Sequence, residues 1–277
     1  MTGVERVSRP ADTTAGETRA TTGLLSSWPR RVRVPALHLV ASATVAALAA
    51  ALVFFVWYPM PFSVLSGGVG LFTLLVAVDV VMGPLLSMVA ASPGKPASAL
   101  RRDLLVIVVL QLAAFGYGMQ TIVGVRPTHL AFEVDRFRVV TAADIDSAQL
   151  PDALPGFRSL SWTGPRLVAA IRPEDPAEQM KSIELGLAGF DLAMIPKNWR
   201  PYGPSAAAAW ARARPLPLLV ARHPEIGAAA ARVASEAGQP VEALRFLPLV
   251  SRRASWVAVL TSPDARITGY LPVEGFF

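Results

Sequence analysis

The chain has 277 residues, with 26 basic against 20 acidic side chains and a formal net charge of +6. It contains no cysteine, which excludes disulfides, thiol nucleophiles and Cys-ligated metals. Hydrophobic residues make up 53% and concentrate before residue 126, which points to membrane segments rather than to one large soluble core.

Residues 1–29 are rich in Thr, Ala, Gly and Ser and show no helical or strand period. With Arg30, Arg31 and Arg33 they form an expected disordered, basic cytoplasmic tail to residue 35. The first apolar run, 36–58, covers about 30 Å at helical rise and is too long for a signal peptide, so it is expected as a retained anchor. Trp57-Tyr58-Pro59-Met60-Pro61 closes it with aromatic interface residues and a proline turn. The second run, 62–91, is long enough to tilt or kink, and Ser92-Pro93-Gly94-Lys95-Pro96 breaks it. A third run, 104–125, ends at Arg126-Pro127.

A pI of about 10.3 is compatible with nucleic acid, anionic lipid or membrane topology. Arg30, Arg31, Arg33, Lys95, Arg101 and Arg102 all flank apolar runs, whereas the 59–61 turn carries no cation. The positive-inside rule therefore accounts for much of the charge, places the amino terminus in the cytoplasm and the chain after the third span outside, and leaves no call for a nucleic-acid partner.

Residues 126–277 read as one small α+β extramembrane domain. Leu130, Phe132, Val134, Phe137 and Val139 alternate as a strand or hairpin would. Asp175-Pro176-Ala177-Glu178 is a helix start, with the helix expected to reach Leu187 and stop near Gly189. Alanine-rich stretches at 205–214 and 225–237 predict two further helices, the second ended by Gly238. Strands are expected over 244–250, 255–261 and 266–271.

Chemistry-bearing motifs are few. His38, His129 and His223 lack metal-ligand spacing, so no metal or cofactor is expected, and His38 reads as a membrane-interface residue. Gly67-Gly68-Val69-Gly70 lies in an apolar run without phosphate-loop context, which favours close helix packing. Ala43, Ala47 and Ala51 form a small-residue stripe that admits a neighbouring helix, of this chain or of a partner. The Lys197–Tyr202 cluster, with Trp199, Arg200 and Tyr202, reads either as a contact for a polyanion or sugar or as a proline-rich loop packed on its domain.

The sharpest signal is Asp79, a carboxyl group in an apolar run just before Gly83-Pro84. A carboxylate in hydrocarbon costs roughly 2.5–3.5 kcal/mol on the mildest scale, so it should face protein or water. Gln111 and Tyr117 fall at similar depth on the third span, and Pro84 should free the carbonyl of Val80. Asp79 is then helix-seam glue, a socket for a partner's transmembrane segment, or a proton relay.

Several segments, taken in order, resemble the type IV pilin accessory proteins of the TfpX/TfpZ type. They include His38-Leu39, Val56-Trp57-Tyr58-Pro59, the run Val78 to Leu85 around Asp79, Pro93-Gly94-Lys95, Gln111 to Ala114, Tyr117-Gly118, Arg126-Pro127 and Phe132 to Phe137. The resemblance covers roughly residues 36–146 and is loose beyond about 150. It implies a multi-pass inner-membrane protein of a Gram-negative bacterium with a periplasmic domain, acting as a pilin-specific chaperone or assembly modulator and not as an enzyme. The bilayer and a type IV pilin, through its transmembrane helix and its head, are the implied partners. Asp135 and Arg136 in the hairpin, with Trp199, Arg200 and Tyr202, become the expected periplasmic contacts. The alternative is a membrane enzyme that modifies pilin, such as a glycan transferase, with Asp79 or Asp135 as acid or base.

Overall fold

A computed structural model describes residues 29–92, 94–187 and 189–277. The expected tail at 1–28 and Pro93 of the expected break lie outside the described residues, as do the side chains of Arg30 and Arg31. Among the described residues three helices are long and apolar enough to cross a membrane: Val32–Trp57, Gly68–Ala90 and Ala97–Gly124. An α+β domain follows them.

The first span consists of α1 (Arg30–Ala51) and a π-helical end, Leu52–Trp57. The wide turn is visible in Tyr58 N–H, which donates to Val53 O five residues back at 2.7 Å. Buried Ala46, Ala49 and Val53 mark the packed side of this span, whereas Ala43, Ala47 and Ala51 are exposed.

The second run is not one helix. A short α2 (Phe62–Leu65) is followed by Ser66 and by Gly67 at φ +74°, a left-handed conformation that stops the helix and suits a residue without Cβ. The span proper is α3 (Gly68–Ala77), a π-helical segment Val78–Met82, and α4 (Gly83–Ala90). Proline at the start of α4 explains the π segment, because its missing N–H cannot continue the ladder. The third span, α5 (Ala97–Gly124), begins seven residues before the expected 104, since Ala97, Ala99 and Leu100 are good helix formers outside the apolar run.

By compactness the chain divides into two units. One holds the residues up to Thr44 together with Val78–Leu112, and the other holds Val45–Ala77 with Ala113–Phe277. In the first, Ala90, Ala91 and Leu100 pack with Val34, Leu104 and Ile107. An ion pair between Lys95 and Asp103 ties the connection to the start of α5.

The second unit contains the sheet. Its strands are β1 (Pro127–Glu133), β2 (Arg136–Thr141), β3 (Arg166–Ala170), β4 (Trp199–Pro201), β5 (Arg214–Pro215), β6 (Arg245–Val250), β7 (Ser255–Thr261) and β8 (Arg266–Leu271). The described order is β4-β3-β1-β2-β6-β7-β8, with β5 also paired to β6. The expected hairpin is β1–β2, with Phe132 opposite Phe137, and the three carboxyl-terminal strands form an antiparallel meander. Parallel pairing of β1 with β3 and of β2 with β6 joins the pieces. Side chains alternate across β1: Leu130 and Phe132 enter one core, and Ala131 enters the other with Val140, Val168 and Trp199.

Helices α6 (Pro176–Leu187), α7 (Ala206–Arg212), α8 (Leu216–Arg222) and α9 (Gly227–Ala237) complete the domain. Asp175 Oδ1 accepts from Glu178 N–H at 2.9 Å, the expected cap. Gly238 closes α9 at φ +65°.

The elbow between the first two spans enters the domain core. Phe62 and Leu65 pack with Leu130, Phe137, Val139 and Leu260, and Phe62 meets Tyr270 edge to face at 5.7 Å. Leu65 O accepts from Ser251 Oγ at 2.7 Å. Tyr58, expected as an interface residue, is instead fully buried and donates to Ile122 O at 2.6 Å, one of the carbonyls that the end of α5 leaves open.

Phe62→Ala should therefore cost about 3–5 kcal/mol and loosen the domain from the helices. Thermal unfolding and limited proteolysis in detergent should show it, while Ala at the 83% exposed Phe55 should change neither.

Candidate functional site

The polar residues of the second and third spans meet at the π-helical turn. Asp79 is only 9% exposed, yet neither carboxyl oxygen has a hydrogen-bond partner among the described residues. Gln111 Nε2 reaches this turn but donates to the backbone carbonyl of Asp79, at 3.0 Å, not to its side chain. The geometry of the turn accounts for that choice. In a π turn the N–H bonds the carbonyl five residues back, so Pro84 orphans the carbonyl of Asp79 and not that of Val80 as an α-helical count expects. Gly83 makes the approach possible, because a Cβ there would overlap the Gln111 amide. The glue of this seam is thus Gln111, Gly83 and Pro84, and the Asp79 carboxyl takes no part in it. Tyr117, expected at the same depth, has a side chain that is 74% exposed.

His38 belongs to a second polar clasp. Its Nδ1 and the fully buried Ser87 Oγ share a hydrogen bond at 2.5 Å, so it joins helices rather than resting as a lone interface residue.

The expected periplasmic contacts are not brought together. Trp199 is fully buried, donates from Nε1 to Ala193 O at 2.8 Å and stacks on His129 at 4.1 Å, so it is core and not a surface contact. Tyr202 packs on Phe132 and Phe137 and donates to Ala265 O at 2.8 Å. The Arg200 guanidinium bonds the carbonyls of Lys197 and Trp199, and Lys197 pairs with Glu178. The loop is thus packed on its domain, because its rings carry more apolar area than a solvent loop can expose. Asp135 and Arg136 remain at the hairpin turn as an ion pair at 2.8 Å, and the Arg136 guanidinium also lies 4.7 Å from the ring centre of Phe276.

Three features had no signal in the sequence pattern. Glu133 is buried at the end of β1, where burial and then Asp191 push its carboxyl above the usual range while Ala193 N–H pulls it back. His129 is fully buried, and burial, followed by the charge of Arg166, pushes it down to about 4. On α6, Met180, Ile183 and Leu187 are exposed at helical spacing, so the helix shows its apolar side to the outside. The described residues contain no group of three or more His, Cys, Asp or Glu placed to hold a metal.

Two outcomes follow from this geometry. Gly83→Ala should displace Gln111 and cost about 1 kcal/mol in detergent unfolding, whereas in a Gln111→Ala background it should be neutral or stabilising through helix propensity. For His129, the unfolded ring titrates near 6.5 and the folded one near 4, so the unfolded state binds more protons between them and stability falls as pH drops. At pH 5 the loss is about 2 kcal/mol, and His129→Phe should remove that acid sensitivity in a comparison of melting at pH 7 and pH 5.

The family model described as fimbrial assembly protein FimB matches residues 26–67. The chain is 34% identical over 249 residues to a fimbrial assembly protein of serogroup I from Dichelobacter nodosus, covering 88% of this chain and 95% of that one. A serogroup E1 counterpart from the same organism is 32% identical over the same length and coverage. The protein of serogroups C1 and C2 is 40% identical over 121 residues, which are 44% of this chain and 92% of the relative. No solved structure matches. These relationships agree with the resemblance to pilin accessory proteins, and the chain belongs to the family of these fimbrial assembly proteins.

Proposed function

We propose that this protein is a non-enzymatic accessory factor of type IV pilus assembly, a chaperone or modulator for its cognate pilin in the bacterial inner membrane. The observation that carries the reading is the alignment with fimbrial assembly proteins over nearly their whole length, which takes in the spans and the outer domain alike. A pilin is an anchored helix bearing a head outside the membrane. A helper for it needs a group that a helix can meet in the bilayer and a domain held at a fixed place beyond it, with the amino terminus cytoplasmic and the domain periplasmic.

Asp79 supports the first requirement. A buried carboxyl group without a partner is costly in hydrocarbon, and a donor on a client helix would satisfy it once the side chains over the carboxyl moved aside. The socket is therefore preferred to glue, since Gln111 already binds the seam through the backbone.

Deletion of the protein should reduce surface pili while intact-mass measurement finds pilin unchanged; a lost modification would instead identify an enzyme. Asp79→Leu should leave the protein abundant and at least as stable in detergent, because it removes an unsatisfied polar group. Surface pili in that strain should drop toward the deletion level, and normal piliation would remove the socket.

A further inference from the structure

Where the spans emerge beneath the domain, the second unit contains a cleft of about 260 Å³. Its apolar wall includes Leu71 near the start of the second span and Val125 just after the third, and its polar wall includes Ser66, Ser251, Arg252 and Arg253. The level of this cleft is marked by tryptophans. Trp57 ends the first span, and its ring lies 6.5 Å from that of Trp162, a 57% exposed residue of the extramembrane domain. The guanidinium of Arg126, the residue after Val125, sits 3.9 Å from the Trp162 ring centre. Tryptophan is enriched at the membrane–water interface, and Val125, the neighbour of Arg126, lines the cleft, so on the membrane reading the cleft falls near headgroup depth.

Its two arginines are not equivalent. Arg252 is held by Asp144 at 2.6 Å, and the same carboxyl group accepts from Thr141 N–H and Oγ1, so its charge is already used within the fold. The Arg253 side chain has no ion pair or hydrogen bond among the described residues. It is an exposed side chain that lies against Gly67, where a Cβ would overlap its guanidinium. The Ser66 hydroxyl is also without a partner, but its oxygen is buried and not open to the cleft. A guanidinium without an ion pair beside an apolar wall is suited to a phosphate that carries hydrocarbon chains.

We propose that this cleft binds the phosphate headgroup of a membrane phospholipid, with Arg253 as its anion contact and the acyl chains running down past Leu71 and Val125. The volume is below the range of about 300–1,000 Å³ common for drug-sized ligands, which fits a headgroup whose chains remain in the bilayer. The inference rests on the membrane reading of the three helices and is independent of the role in pilus assembly.

Native mass spectrometry of the delipidated full-length protein in detergent tests it, with phosphatidylglycerol, diacylglycerol of the same chains, and soluble glycerol 3-phosphate as probes. The expected result is one phosphatidylglycerol adduct per chain and none with diacylglycerol. Arg253→Glu should weaken that adduct at least tenfold, and so should Ala143→Trp, which fills the exposed mouth without changing charge and serves if the first variant fails to fold. Equal retention by both folded variants and the wild type would overturn the site, as would diacylglycerol binding as well as phosphatidylglycerol. Glycerol 3-phosphate binding as tightly as the lipid would replace the headgroup by a free phosphate ester.

Discussion

The arrangement of the second unit depends on the elbow at 58–67. Phe62 and Leu65 are core residues of the sheet, Tyr58 closes the end of α5, and Gly68 presses against the Tyr58 ring so closely that a Cβ would come within 2.6 Å of it. The connection is thereby a structural plug and not a solvent turn. Its consequence is mechanical: the elbow and the sheet share one hydrophobic core, while the helix ends pack in a cluster of their own around Tyr58 and Ile122. A domain joined by a flexible linker would sample many orientations over the bilayer, at little cost in free energy. This one is packed against the elbow and the end of α5 within its own unit.

Two further contacts stiffen the same junction. Arg126 is buried, bonds the carbonyls of Val123 and Ser161, and lies against the Trp162 ring. Pro59 fits against Gly164, at φ +81°, where a side chain would have little room. Each contact joins a helix end to a loop of the domain, and each satisfies backbone groups or ring surface that the helix termini leave open. The junction thus solves a problem that any helix leaving a membrane faces, namely where its last carbonyls find donors.

Much of this fold is legible in the sequence. The three apolar runs, the β1–β2 hairpin, the cap at Asp175, the stop at Gly238 and the carboxyl-terminal meander follow from hydrophobic period and turn chemistry, and the strand bounds agree to within a residue. What is not legible comes from tertiary context. Hydropathy cannot tell an apolar elbow buried in a sheet from one buried in lipid, so Phe62–Leu65 reads as membrane. Strands β3 and β4 are too short to carry a period, and α8 hides behind Pro217, which the first turn of a helix tolerates. At the candidate site, Asp79, Gly83, Pro84 and Gln111 are all visible as residues, but only the π turn decides which carbonyl Gln111 meets. Trp199 and Tyr202 mislead because aromatic rings beside cations suit a core edge as well as a binding surface.

The polar groups left unsatisfied are the more informative remainder. Most buried polar atoms in native proteins are paired, because an unpaired one costs about 1–3 kcal/mol. At the seam between the second and third spans Gln111 Nε2 finds the one carbonyl that Pro84 orphans, while Gln111 Oε1 has no partner among the described residues. Neither oxygen of the Asp79 carboxyl, a single side chain away, is paired among the described residues. A leucine there would be less costly in hydrocarbon and would leave the Gln111 bond intact, because that bond uses only the backbone of residue 79. Stability alone does not explain a carboxyl group at this position, and that is the ground on which a second molecule with a donor is proposed.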